Sequence, residues 1–217
     1  DGVVPAFFQP QSGGKLGLPC RNLYLQLPEI INYVARGMEP YRGFPQFMES
    51  VALLQKRRPQ CHTVVVGENR VAYGKTLPNN QTYKDLMLAK LDIDLNRIRF
   101  TGLLPYSEYL KVLQSSTVHV YLTRPFVLSW SMLEALSAGC LVVASRTPHV
   151  MEVIEDGVNG LLVDFFSPQS IRDRVEEGFN HHTRMAEIRA KARGTIIQHY
   201  NLANLLPKHL QWIKDIN

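Results

Sequence analysis

The sequence predicts an α/β fold, a Rossmann-like parallel sheet with helices on both faces. Three observations carry this. Short apolar runs recur that are nearly continuous rather than alternating, as strands buried on both faces require. Between them lie segments with apolar residues at helical spacing. The two kinds of segment alternate at least five times, the order that successive βαβ units produce. Six strands would complete a nucleotide-binding layer.

The elements follow in order. Residues 1–28 are rich in glycine and proline with little periodicity, and are expected to be a linker or irregular arm. Residues 27–34 are strand-like and run into a loop, 35–43, that holds Arg36 and Arg42. A helix is expected over 44–58, with Phe47, Val51 and Leu54 on one face and Pro59 as its stop. The β-branched run 62–66 is a buried strand ending at Gly67, and polar 68–82 a surface loop. A helix at 83–91, a short strand at 98–100 and a turn at 101–105 come next, then a helix over 108–115 capped by Ser107.

The strand 117–122, the loop and helix 126–139 and the strand 140–144 form the central βαβ unit. Such units hold ligands at the carboxyl ends of their strands, where the helix start presents free N–H groups. A short helix at 148–155, a turn at 156–160 and a strand at 161–163 follow. Helices are then expected over 168–180, capped by Ser167, and over 184–200 and 202–216. The expected organisation is therefore a linker (1–28), one sheet domain (29–200) and a terminal helix (201–217).

A length of 217 residues suits one large domain and can bury a full core. No run approaches the length of a membrane helix, and no charged-then-apolar signal opens the chain. The first residue is Asp1 rather than Met, which fits a fragment or a processed piece. The net charge of +5 suits anionic ligands. No basic stripe with interleaved aromatics is present, so nucleic acid is not an expected partner. Lys56, Arg57 and Arg58 end a helical pattern and read as a solvated helix end. Cys20, Cys61 and Cys140 have neither disulfide-framework nor zinc spacing, which favours a reducing compartment, the cytoplasm.

Several residues could carry chemistry. Arg36 and Arg42 lie in a Gly/Pro loop between a buried strand and a helix, where an arginine fork suits a phosphate; a solvated loop is the other reading. Gly67 either admits a ligand or simply ends its strand. Gly102, Leu103 and Leu104 offer backbone groups at the same sheet edge, or form a plain turn. Glu134, near the start of its helix, either accepts two hydroxyls of a vicinal diol or complements the helix dipole. His119 reads as a core histidine, and the remaining histidines form no metal set. No nucleophilic triad can be assembled, and the glycine fingerprint of dinucleotide enzymes is absent after the first strand, against an oxidoreductase.

With these residues placed, the motif order resembles the C-terminal half of retaining, nucleotide-sugar-dependent glycosyltransferases of the GT-B fold, the large "group 1" family. DGVVPAFFQP (1–10) is similar to that family's interdomain linker, and YVARGMEPYRG (33–43) to its G-R…K-G loop. VVVG (64–67) and FTG (100–102) match its next strand ends. MLEALSAG (132–139) and MEVIEDGVNGLLV (151–163) match its L-L-E-A-M-A-x-G and E-x-I-x-D-G-x-N-G-x-L-V motifs.

The resemblance implies a donor-binding domain and a set of roles. Arg36 and Arg42 would hold the donor diphosphate as catalytic residues, with Arg42 in place of the usual lysine. Gly67 and Gly102 would keep the ligand-side edge open. Backbone groups of Leu103 and Leu104 would meet the base, and amides of Leu128, Ser129 and Trp130 the sugar or phosphate. Glu134 would grip the ribose. A nucleoside-diphosphate sugar would be the donor substrate, with no cofactor and no metal. An absent N-terminal domain would bind the acceptor and supply any peripheral membrane association. The sequence departs from the family pattern at Phe126, where the E-x7-E signature has its first acid, and at Ala35, where a glycine is usual. A second reading follows from Phe126: a non-catalytic nucleotide-binding or interaction domain that kept the fold and lost the sugar site.

Overall fold

The computed structural model describes residues 29–125 and 127–216. The expected linker, Cys20 and Phe126 lie outside the described residues. Six strands form one parallel sheet: β1 (Ile30–Gly37), β2 (His62–Glu68), β3 (Ile98–Gly102), β4 (Val118–Tyr121), β5 (Leu141–Ser145) and β6 (Leu161–Val163). Their order is β3-β2-β1-β4-β5-β6, the doubly wound order with its reversal between β1 and β4. The predicted fold class is the observed one.

Helices cover both faces. On one side α1 (Phe44–Arg57) and α6 (Pro168–Asn180) pack over Ile31, Tyr33, Val65, Val118 and Val143. On the other, α3 (Tyr106–Ser115), α4 (Trp130–Ala138) and α7 (His182–His199) pack over Val66, Tyr121, Val142 and Leu162. The continuous apolar runs have this cause: β4 and β5 are buried at every position. Fully burying a side chain such as Phe47 or Leu136 contributes about 1.5–3 kcal/mol. The smaller helices are α2 (Tyr83–Lys90), closed by a Thr82–Asp85 capping box, and α5 (Pro148–Met151). The last helix, α8 (Leu202–Ile216), buries none of its residues, and Trp212, Ile213 and Ile216 are exposed. Among the described residues no helix is long and apolar enough to cross a membrane.

Some boundaries differ from those expected. β1 continues to Gly37, so Arg36 belongs to the strand end rather than to the loop; a register shift between Val34 and Gly37 carries the extra residues. Ser107 is not a cap. The helix starts at Tyr106, and the Pro105 carbonyl accepts the Glu108 and Tyr109 amides at 3.0 Å each. The short helix after β5 stops at Met151, because Val153 and Ile154 turn into the core. α7 begins at His182, with only His181 between it and the end of α6. Cys61 and Cys140 precede β2 and β5 as buried free thiols, and burial pushes each up to about 12.

Candidate functional site

Arg42 is placed by local chain chemistry. Pro40 starts a single 3-10 turn, Pro40–Arg42, and Gly43 ends it at φ 67°. That left-handed conformation favours glycine, and a Cβ there would meet the Leu122 side chain at 2.5 Å. Beneath the turn, Tyr33 stacks on Phe47 at 4.8 Å between ring centroids and donates its hydroxyl to the Arg42 carbonyl at 2.8 Å. Arg42 is 9% exposed, and its guanidinium donates to Thr123 Oγ1 at 3.0 Å and lies 5.3 Å from the Tyr73 ring centroid. Thr123 is itself fixed: its amide donates to Ser145 Oγ at 3.0 Å, and that hydroxyl donates to the Thr123 carbonyl at 2.9 Å.

Arg42 and Tyr73 help wall a cleft of about 230 Å³ where the strand order reverses. Arg36, Arg42, Tyr73 and Tyr121 line it together with Leu128, Ser129 and Trp130. Arg36 is exposed and makes no ion pair or hydrogen bond among the described residues. Both predicted arginines therefore face one space, and the start of α4 faces it from the far side. The Ser129 amide donates to the Tyr121 hydroxyl at 2.9 Å, so of the three amides predicted to meet a ligand this one already has a partner. Trp130 opens α4, where first-turn N–H groups have no carbonyl within the helix. Burial raises the Tyr121 hydroxyl, while the Ser129 amide and the Arg42 charge act the other way. The phenol thus stays protonated at neutral pH.

Glu134 does not line this cleft. Its carboxylate turns to α3, accepting from the Tyr109 hydroxyl at 2.6 Å and the Tyr106 hydroxyl at 3.5 Å. Burial raises the Glu134 carboxyl above its ordinary value, and the two hydroxyls partly offset that. Tyr106, in turn, is pushed up to about 12 by burial and the neighbouring carboxylate. Leu103 is 67% exposed on the turn that leads into α3, with Leu104 half-buried against the core. Gly102 has φ 69° and open space around it. Gly67 is required by packing instead: at φ 134°, a Cβ would meet the Ala35 carbonyl oxygen at 1.9 Å. Its close approach is to β1.

Sequence reasoning missed four contributors. Glu39 is fully buried and accepts the Tyr73 amide at 3.0 Å and the Gly74 amide at 2.6 Å, which brings the 68–82 segment over the cleft. Tyr73 comes with it. Tyr121 and Tyr109 act through their hydroxyls across elements. An acid inside a Gly/Pro loop of otherwise apolar and basic residues was the available signal for Glu39. A phenol ending an apolar strand was the signal for Tyr121. Among the described residues no group of three or more His, Cys, Asp or Glu side chains could hold a metal ion.

Residues 26–195 match the family described as "Glycosyl transferases group 1". A D-inositol 3-phosphate glycosyltransferase of Corynebacterium glutamicum is 27% identical over 167 residues, covering 76% of this chain and 37% of that protein. The chain thus spans little more than a third of such curated relatives. Among solved structures, Anabaena HepE in complex with UDP-glucose superposes with a TM-score of 0.80 at 18% identity, over 99% of this chain and 56% of the other. The C-terminal domain of a group 1 family protein from Francisella tularensis gives 0.72 at 21% identity, over 93% of this chain and all of that one. At these identities the structural likeness concerns the fold.

Proposed function

Since the chain belongs to the group 1 glycosyl transferases, we propose that it is the half of such an enzyme that holds a nucleoside-diphosphate sugar. One observation carries this reading: Arg36 and Arg42, brought from a strand end and a turn, line one cleft beside the start of α4. A diphosphate is the ligand whose charge and shape match two guanidiniums and a helix N-terminus. In the transfer, the bond between the anomeric carbon and the β-phosphate oxygen breaks, and negative charge grows on the departing diphosphate. Arg42, held by Thr123, and the exposed Arg36 stabilise that charge electrostatically. The nucleoside extends toward α3, where Leu103 and Leu104 meet the base and Glu134 takes the ribose hydroxyls once they displace its tyrosine partners.

The acceptor and the rest of the cleft come from an N-terminal domain, through which any membrane contact is made. The two free buried thiols fit a cytoplasmic setting, and the reading calls for no cofactor beyond the sugar donor itself. Thermal unfolding with UDP, GDP and ADP at millimolar concentration tests it. At least one diphosphate raises Tm, and UDP is the first to try because the HepE structure holds UDP-glucose. No shift with any of the three contradicts the proposal. A second reading, a binding domain without turnover, is favoured by Phe126 at the position of the signature's first acid. It predicts nucleotide binding without transfer in the intact enzyme, and transfer gained on Phe126→Glu.

A further inference from the structure

A second cavity, of about 350 Å³, opens at the same sheet edge but over the ends of β5 and β6. Its walls come from three successive strand-to-helix loops: Arg124 after β4, Arg146 and Thr147 after β5, and Asp164, Phe165 and Phe166 after β6. None of these residues lines the donor cleft.

The chemistry of the walls is specific. The Arg124 guanidinium lies 5.7, 5.8 and 5.5 Å from the ring centroids of Tyr41, Phe165 and Phe166. It has no carboxylate partner and no side-chain hydrogen bond among the described residues. Arg124 is exposed, and the three rings flank its guanidinium while leaving N–H groups for an oxyanion. Arg146, by contrast, is already paired with Asp156 at 2.7 Å, so the uncommitted charge is that of Arg124. Phe166 is 65% exposed and meets Phe165 edge to face at 4.9 Å. Asp164 accepts the Phe166 amide at 2.9 Å, which fixes the backbone that carries the exposed ring. Thr147 is 7% exposed, and its hydroxyl has no hydrogen-bond partner, a state that buried polar groups seldom keep. An open aromatic face, an unpaired guanidinium and a carboxylate together match a ring with an apolar face, hydroxyl edges and one negative charge.

We propose that this cavity binds a sugar or polyol unit bearing a phosphate or carboxylate group. Arg124 takes the anion, and Phe166 packs on the C–H face of the ring. As a binding site the cavity stands by itself and does not rest on the function proposed above.

Calorimetric titration of the chain with glucose 6-phosphate and with glucuronate tests the proposal, with glucose and inorganic phosphate as references. At least one of the two anionic sugars binds about tenfold more tightly than glucose and than phosphate. Phe166→Ala and Arg124→Ala each weaken that binding by about tenfold, whereas Phe166→Tyr, which keeps the ring, retains it. Saturating UDP does not displace the sugar. The proposal is overturned if neither anionic sugar outbinds the references, if Phe166→Ala has no effect, or if UDP competes. Failure of UDP to bind while the anionic sugar behaves as described removes the donor reading and leaves this site standing.

Discussion

Replacing Tyr109 by phenylalanine isolates the contact that orients Glu134. The hydroxyl donates to Glu134 Oε2 at 2.6 Å from a side chain that is 9% exposed, and the second hydroxyl, from Tyr106, is at the weak distance of 3.5 Å. A hydrogen bond to an ionised group contributes about 1.5–3 kcal/mol, and one to a neutral group about 0.5–1.5 kcal/mol. Glu134 is partly solvated, so the lower half of each range applies: about 2 kcal/mol when it is ionised and about 1 kcal/mol when it is protonated. For a chain of this size about 1 kcal/mol corresponds to roughly 2–4 °C in Tm. Tyr109→Phe should therefore lower Tm by about 4–8 °C at pH 7.5 and by about half that at pH 4.

The sign follows from linkage. Burial raises the folded-state carboxyl above its unfolded value, so the group favours folding most when protonated, and its contribution falls as pH rises through the carboxylate range. Removing the hydroxyl that opposes this shift steepens the fall. Differential scanning calorimetry of the wild type and the variant across pH 4–8 is the assay. In a Glu134→Gln background the pH-dependent part of the loss should vanish. An equal loss at both pH values, or a dependence that survives Glu134→Gln, would refute the reasoning.

Further expectations concern the sheet and its edges. Gly67→Ala drives a Cβ into the Ala35 carbonyl at a positive φ and should cost about 2–5 kcal/mol in chemical denaturation; a loss below 1 kcal/mol contradicts the packing role. In a Cys20→Ser background neither remaining thiol should react with an aromatic disulfide reagent at pH 8 until the protein unfolds, since burial holds both up to about 12. Rapid labelling of the folded protein contradicts that. His119 is held down to about 3 by burial, with Nδ1 2.7 Å from Asn32 Oδ1. Its neutral form stabilises the fold fully above pH 6.5, and that contribution drains away as pH falls toward 3. Its imidazole resonance should not titrate between pH 8 and 4.5; a midpoint near 6 contradicts the burial.

Much of this was legible along the chain. Phe47, Val51 and Leu54 announced the buried face of α1, and Ser167 with Pro168 announced the start of α6, because both signals are local. Arg36 and Arg42 could be paired from spacing, since one turn separates them. The partners of Glu134 could not be. Tyr109 is 25 positions away on another helix, and only packing of α3 against α4 brings it near. The same holds for Tyr73: a polar loop reads as surface until the buried Glu39 carboxylate, 34 positions earlier, pulls its amide inward. Gly67 was legible as a special glycine but not for its reason, because the Ala35 carbonyl belongs to a neighbouring strand whose register shifts at that point.

The central claim is that two guanidiniums in one cleft hold a diphosphate, and calorimetric titration with uridine, UMP and UDP measures it directly. Affinity should rise with each phosphate, by about tenfold or more from UMP to UDP, and Arg36→Ala should erase most of that last increment while leaving uridine binding unchanged. Equal affinity for UMP and UDP, or an increment that survives Arg36→Ala, would contradict the account.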